Sequence, residues 1–171
     1  MAPGRAVAQL AALKGVAGLF DGAGIEYWLF GGWAVDFYAG RITREHDDVD
    51  LAVWLDDCAR IDDLLRRDGW NHAPEDGEDG GTGYERDGAR VELTFLVTEG
   101  GPVSIPLRHG RVPWPADTFG SDTRELEAVR IRLIGLAALR RTKASVRDDR
   151  DDAAKDRADA LTLAGIGASP E

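Results

Sequence analysis

Cysteine is almost absent from this chain: Cys58 stands alone among 171 residues. A single thiol excludes an internal disulfide, and with only three histidines beside it a Cys/His zinc cluster is excluded too. Long apolar runs are missing as well, so no segment approaches the ~20 residues that a membrane-spanning helix needs. The first residues, Met1-Ala2-Pro3-Gly4-Arg5, lead into an amphipathic segment and not into the apolar core of a secretion signal. A cytoplasmic location is the expectation. Positive charge is the last shortage. Against 21 Lys and Arg stand 31 Asp and Glu, a net charge of −10. Such a chain is a poor general binder of nucleic acid, whose phosphates it repels. An acidic cleft would instead concentrate a small cationic substrate, although acidity by itself also serves plain solubility.

What is present is ordinary for one globular domain spanning residues 1–171, with 43% hydrophobic and 30% charged residues. Its informative stretch begins at Trp28-Leu29-Phe30-Gly31-Gly32-Trp33-Ala34-Val35-Asp36. Ile25 to Phe30 read as a buried strand that Gly31-Gly32 stop. Trp33 to Tyr38 then make a short helix, closed by Gly40 as a left-handed cap. After Arg41 to Asp47 comes Asp48-Val49-Asp50, leading into the strand Leu51 to Leu55. Side chains alternate along a strand, so Asp48 and Asp50 share a face, about 7 Å apart. Two such carboxylates repel unless a cation lies between them, and oxygen-only ligation suits Mg²⁺. The glycine pair offers backbone N–H groups at a helix N-terminus, where phosphate is favoured. Together these parts suit metal-assisted phosphoryl or nucleotidyl transfer.

Gly31-Gly32-Trp33, Asp36, Gly40-Arg41, Arg44, His46 and Asp48-Val49-Asp50, in that order and spacing, resemble the signature of small antibiotic nucleotidyltransferases. These are the aminoglycoside- and lincosamide-modifying enzymes of the DNA polymerase beta-like superfamily. The resemblance covers Ile25 to Val53. It implies a third catalytic carboxylate on a central strand, where Val91-Glu92-Leu93 fits the place with Glu in a position usually held by Asp. It also implies a phosphate-contacting Lys near the C-terminal part, for which Lys143 is the choice.

The rest of the chain is read from its own periodicities. Val7, Leu10, Leu13, Val16, Leu19 and Phe20 mark an amphipathic helix that ends at Asp21-Gly22-Ala23-Gly24. Asp56-Asp57 offers an N-cap to a helix whose apolar face holds Cys58, Ile61, Leu64 and Leu65. Trp70 begins a short strand, and Pro74 to Gly83 reads either as a solvated connection or as an acidic lip that attracts a polycation. Tyr84 to Val97 is a hairpin turning at Asp87-Gly88. Glu92 interrupts its apolar second arm, so it is either a site residue or a Glu paired with Arg90 or Arg86. Between 98 and 128 only the turn Gly100-Gly101 and a strand at Val103-Ser104-Ile105 are legible, since Pro106, Pro113 and Pro115 forbid long elements. Trp114 suits packing there more than stacking on a ligand, and His109 has no role. Val129, Ile131 and Leu133 point inward from an edge strand, and a helix follows from Gly135 with Leu136, Leu139 and Val146 as its apolar stripe. Arg140, Lys143 and Arg147 lie three and four residues apart, so they either face the cleft or lie on a solvated face paired with Asp148, Asp149, Asp151 and Asp152. A closing helix packs Ala154, Ala158, Leu161 and Leu163 and turns Lys155-Asp156-Arg157 and Asp159 outward, and the chain from Ile166 to Glu171 reads as a frayed tail.

The expected fold is α/β in the α+β sense: a small mixed sheet with flanking helices and a C-terminal helical part over about 135–165, of the polymerase beta-like nucleotidyltransferase type that the motif implies. The expected chemistry is transfer of a nucleoside monophosphate, AMP from ATP, to a hydroxyl. Asp48, Asp50 and Glu92 would hold two Mg²⁺ ions, with Glu92 also taking the hydroxyl proton. Gly31, Gly32, Arg44 and Lys143 would hold the nucleotide. Asp47 has the wrong parity for the metal face, His46 fixes the loop, and Asp36 ties residues 41–46 through Arg41 or Arg44. The acceptor is an aminoglycoside, with a lincosamide, or a protein or RNA partner of a toxin–antitoxin pair, as the alternatives. No membrane is expected as a partner, and the chain would be a monomer or homodimer.

Overall fold

Strands β1 (Tyr27–Phe30) and β2 (Val49–Trp54) lie antiparallel in the computed structural model, which describes residues 4–145 and 149–167. Strand β5 (Ala89–Leu96) joins β2 on its other side in parallel, and β4 (Gly81–Arg86) and β3 (Asn71–His72) extend the sheet antiparallel. The order β1-β2-β5-β4-β3 is therefore a mixed sheet with one parallel pair, as the sequence suggests. That parallel pair matters most, because its register sets Asp50 directly opposite Glu92. Apolar neighbours fix it: Val49, Leu51, Val53, Val91 and Leu93 are all buried, and a one-residue slip would turn that set over to the solvent face.

Helix α1 (Arg5–Ala23) buries Leu13, Val16 and Phe20 completely and ends at Gly24 in the left-handed conformation, φ 70°. Val7, expected on its apolar face, is exposed because it lies in the first turn, beyond the reach of the sheet. Helix α2 (Gly31–Ala39) starts at once after β1, two residues earlier than the sequence suggests, and closes at Gly40 with φ 73°. Its buried Trp33 donates from Nε1 to Gln9, whose own amide donates to the His46 carbonyl, so α1 is fastened to the loop before β2. A 3₁₀ turn (Leu55–Asp57) precedes α3 (Cys58–Arg67), whose buried side chains are Ile61 and Leu65. The Asp57 side chain makes no cap hydrogen bond and instead accepts from Arg60.

The β4–β5 hairpin turns where the sequence places it, with both Asp87 (φ 50°) and Gly88 (φ 80°) left-handed, the geometry of a primed two-residue turn. Residues 98–128 hold more order than their sequence shows: β6 (Ser104–Leu107) pairs with β7 (Gly110–Pro113), and β8 (Thr123–Leu126) with β9 (Val129–Arg132). Pro106 and Pro113 are tolerated because these are two-stranded ribbons whose outer edges need no N–H partner. Trp114 packs against Phe30 and Phe119, and His109 is exposed in the hairpin turn.

Helix α4 (Leu136–Ala144) follows Gly135 as expected, and α5 (Arg150–Ala164) is capped by Asp149, which accepts from the backbone of Asp151 and Asp152. Two expectations here are overturned. Arg140 does not face the cleft; it donates to the carbonyls of Leu163 and Ile166, closing the end of α5. And most of the expected face of α5 is turned over: Asp156 and Asp159 are buried, whereas Leu161 is 77% exposed and Ala154 and Ala158 face solvent, and of the expected apolar set Leu163 is buried. Asp156 and Asp159 meet Lys143 and Arg44 on the inner side, so carboxylates are what that part of the buried face requires, while Leu163 joins the apolar core. Val146, Arg147 and Asp148 lie outside the described residues. Among the described residues no helix is long and apolar enough to cross a membrane.

Candidate active site

A cavity of about 250 Å³ opens where β1 ends, α2 begins and β2 begins. Gly31, Gly32, Arg44, Asp48, Asp50 and Lys143 line it, six residues drawn from four separate parts of the chain. The seventh expected residue, Glu92, stands level with Asp50 on the adjacent strand, and its carboxylate accepts a very short hydrogen bond from Arg90 Nε.

Gly31 is required by two observations. Its φ is 72°, and a Cβ there would run into the Asp50 carboxylate. At Gly32 a Cβ would collide with the His46 ring and lie 2.6 Å from Arg44 Nη2. Glycine therefore lets both the Asp50 carboxylate and the Arg44 side chain approach the N-terminus of α2, whose first N–H groups have no partner within the helix.

The loop between α2 and β2 is held rigid from below. Asp36 is fully buried, accepts from Thr43 Oγ1 at 2.5 Å and lies 2.6 Å from His46 Nε2. Asp36 thus ties the loop as expected, but its partners are Thr43 and His46, not an arginine. His46 also packs on the Trp33 ring, 4.8 Å between centroids. Asp47 turns outward to Lys155 Nζ (2.7 Å) and Arg5 (3.2 Å), which agrees with its being off the Asp48/Asp50 face.

Burial pushes the Asp48 carboxyl above its ordinary range, and the nearby Asp47 and Glu75 add to the shift. Burial also raises Glu92; Arg90 pulls it back, while Glu75 and Asp48 push the same way as burial. Two carboxylates made costly to ionise by their surroundings are a donor set short of positive charge, and all-oxygen ligation suits a hard divalent cation. The residues present therefore fit Mg²⁺. Among the described residues no three His, Cys, Asp or Glu side chains already converge on a point as metal ligands.

The cations that line the cavity are paired with carboxylates of α5. Arg44 donates from Nε and Nη2 to the two oxygens of Asp159, both at 2.9 Å. Lys143 is buried and contacts Asp159 at 2.9 Å and Asp156 at 3.1 Å. Burial by itself would raise Asp159, but the hydrogen bonds from Arg44 and Lys143 outweigh it and hold this carboxyl below the usual range. Sequence reading missed Asp156, Asp159 and the cavity-lining Lys155. A signal existed: Asp152, Asp156 and Asp159 recur at spacings of four and three, and so share one helical face. The acidic segment before β4 also reaches the site at one point, where Glu75 lies 3.8 Å from Arg90, while Asp79 accepts from the backbone of Arg108.

Comparison with known proteins meets this geometry. The chain is 40% identical over 43 residues to a 2''-aminoglycoside nucleotidyltransferase of Escherichia coli, covering 25% of this chain and 24% of that protein. It is 48% identical over 33 residues to a lincosamide resistance protein of Staphylococcus haemolyticus, covering 19% and 20%. The matched stretch thus spans about a quarter, or less, of the length of these curated relatives. In fold it is similar to the lincomycin-bound lincosamide antibiotic adenylyltransferase LnuA, with a TM-score of 0.70 and 19% identity over 90% of this chain and 95% of that one. It is also similar to ANT(2'')-Ia in complex with adenylyl-2''-tobramycin, with a TM-score of 0.64 and 17% identity over 91% and 90%. The fold is accordingly that of the nucleotidyltransferases, as the motif implies. The family model for aminoglycoside-2''-adenylyltransferase matches residues 12–160, from α1 to within α5, and the chain belongs to that family.

Proposed function

We propose that this protein transfers a nucleotidyl group, AMP from ATP, to a hydroxyl of an aminoglycoside. The observation that carries the reading is the register of the β2–β5 pair, which sets Glu92 level with Asp50 beside a glycine turn and two cations. Asp48, Asp50 and Glu92 would hold two Mg²⁺ ions. The chemistry such ions would supply is a lowered pKa for the attacking hydroxyl and charge neutralisation of the leaving pyrophosphate.

The chain's own groups do the rest. Backbone N–H groups at the start of α2 bind the triphosphate, and Arg44 and Lys143 add positive charge to it. Glu92, with its carboxyl raised by burial, is suited to accept the hydroxyl proton as the oxygen attacks the α-phosphorus in line. The bond from that phosphorus to the bridging oxygen breaks, and pyrophosphate leaves. Glu75 and the acidic residues around it give the acceptor side a negative rim that suits a polyamine. The stretch shared with the lincosamide resistance protein favours a second reading, in which the acceptor is a lincosamide.

Pyrophosphate release decides between them, measured with Mg²⁺ and each of four NTPs against aminoglycosides, lincosamides and a no-acceptor control. Release with ATP that requires an aminoglycoside is the expected result. Release with lincosamides alone would change the acceptor class, and silence across the panel would remove the small-molecule reading. Glu92→Gln should lower kcat on the order of 10²- to 10³-fold, the usual weight of a general base, and leave nucleotide KM nearly unchanged. A variant with wild-type kcat would return Glu92 to a structural pairing with Arg90.

A further inference from the structure

Helix α5 places Asp159, 1% exposed, among charged partners and not against the apolar core. A buried carboxylate is unfavourable unless fully paired, and Asp159 is paired three ways, with Arg44 Nε, Arg44 Nη2 and Lys143 Nζ, each at 2.9 Å. These two cations come from the loop before β2 and from α4, and both line the cavity beside Gly31 and Gly32. Like charges so close would swing apart without an anion between them.

We propose that Asp159 is a positioning residue for the nucleotide: it clamps Arg44 and Lys143 side by side so that their remaining N–H donors meet the phosphates as a fixed pair. The donor count leaves room for this. Arg44 spends two N–H groups on Asp159 and one on the Glu45 carbonyl, which leaves one on each terminal nitrogen. Lys143 spends two on Asp156 and Asp159 and keeps one. Arg44 Nη2 already lies against Gly32, where the phosphate-binding backbone begins. Asp159 itself touches no substrate; it acts through the pair it holds. The inference rests on the proposed nucleotidyl transfer. A merely structural role, pinning α5 to α4 and the loop, would cost stability and leave nucleotide binding alone.

The test compares wild type, Asp159→Asn and Asp159→Glu. ATP with Mg²⁺ is titrated by calorimetry without acceptor, melting temperatures are recorded, and kcat and KM are separated for nucleotide and acceptor. Asp159→Glu keeps the charge, and so keeps the fold even where Asp159→Asn does not, but its extra methylene cannot serve both cations at once. Both variants are expected to weaken ATP binding on the order of tenfold, the size of one misdirected charge-assisted hydrogen bond. Nucleotide KM should rise in step while acceptor KM stays within about twofold. ATP affinity and nucleotide KM equal to wild type in Asp159→Glu, however far the melting temperature falls, would overturn the proposal. A wild-type protein that binds no nucleotide would overturn the transfer reading, and this inference with it, before any variant is compared.

Discussion

Asp48→Asn is expected to abolish nucleotidyl transfer while the melting temperature holds or rises. The loss should be on the order of 10³-fold or more, because in the proposed reaction Asp48 holds metal that would supply several kcal/mol of transition-state stabilisation. The stability change follows from the sign of the pKa shift. Burial, Asp47 and Glu75 raise the folded-state pKa of Asp48, so its ionised form is less favourable in the fold than in the unfolded chain. That penalty is absent at low pH, where the group is protonated in both states, and grows as pH rises through the folded value. Asparagine removes it. In chelator-treated protein, the variant should therefore melt above wild type near neutral pH, and the gap should close as pH falls toward the ordinary carboxylate range. Melting curves across pH check this, and retained turnover would remove Asp48 from the metal site.

Gly31→Ala should damage both stability and turnover. Alanine at a left-handed φ costs about 1–2 kcal/mol, which lowers the melting temperature of a domain of this size by roughly 2–8 °C. The methyl group also runs into the Asp50 carboxylate, which must shift away. Displacing one metal ligand by even about 1 Å is enough to cost on the order of 10²-fold in rate. Turnover should consequently fall much further than stability alone accounts for at a temperature where the variant is folded. A folded variant with wild-type turnover would show that Asp50 tolerates the shift and does not set the geometry of transfer.

Much of the site was legible because it is local. Strand, glycine pair, short helix and Asp-Val-Asp follow one another within Ile25 to Val53, and period-two alternation is enough to place Asp48 and Asp50 on one face. Glu92 stood out because a carboxylate interrupts an apolar strand. The Asp87-Gly88 turn announced its hairpin through residues that accept left-handed φ. By contrast, Asp156 and Asp159 read as a solvated helix face, since local sequence cannot say what lies across from a helix. Arg140 read either as a site cation or as part of a solvated face for the same reason, although it closes the end of α5. Strands β6 and β9 were legible at Val103-Ser104-Ile105 and from Val129 to Leu133, but their partners β7 and β8 were hidden because strands of four residues have too few alternating positions to show a period.

By itself, then, the sequence determined the motif, the helices and strands around it and the chemistry that its carboxylates and glycines favour, because these depend on neighbours within a few residues. Tertiary structure alone decided that Glu92 stands level with Asp50, that His46 and Thr43 hold Asp36, and that Asp159 joins Arg44 to Lys143. The Asp36 contacts span only 7 and 10 residues but depend on how the loop folds back, whereas 115 residues separate Arg44 from Asp159, and only burial of the shared core brings such partners within hydrogen-bonding reach.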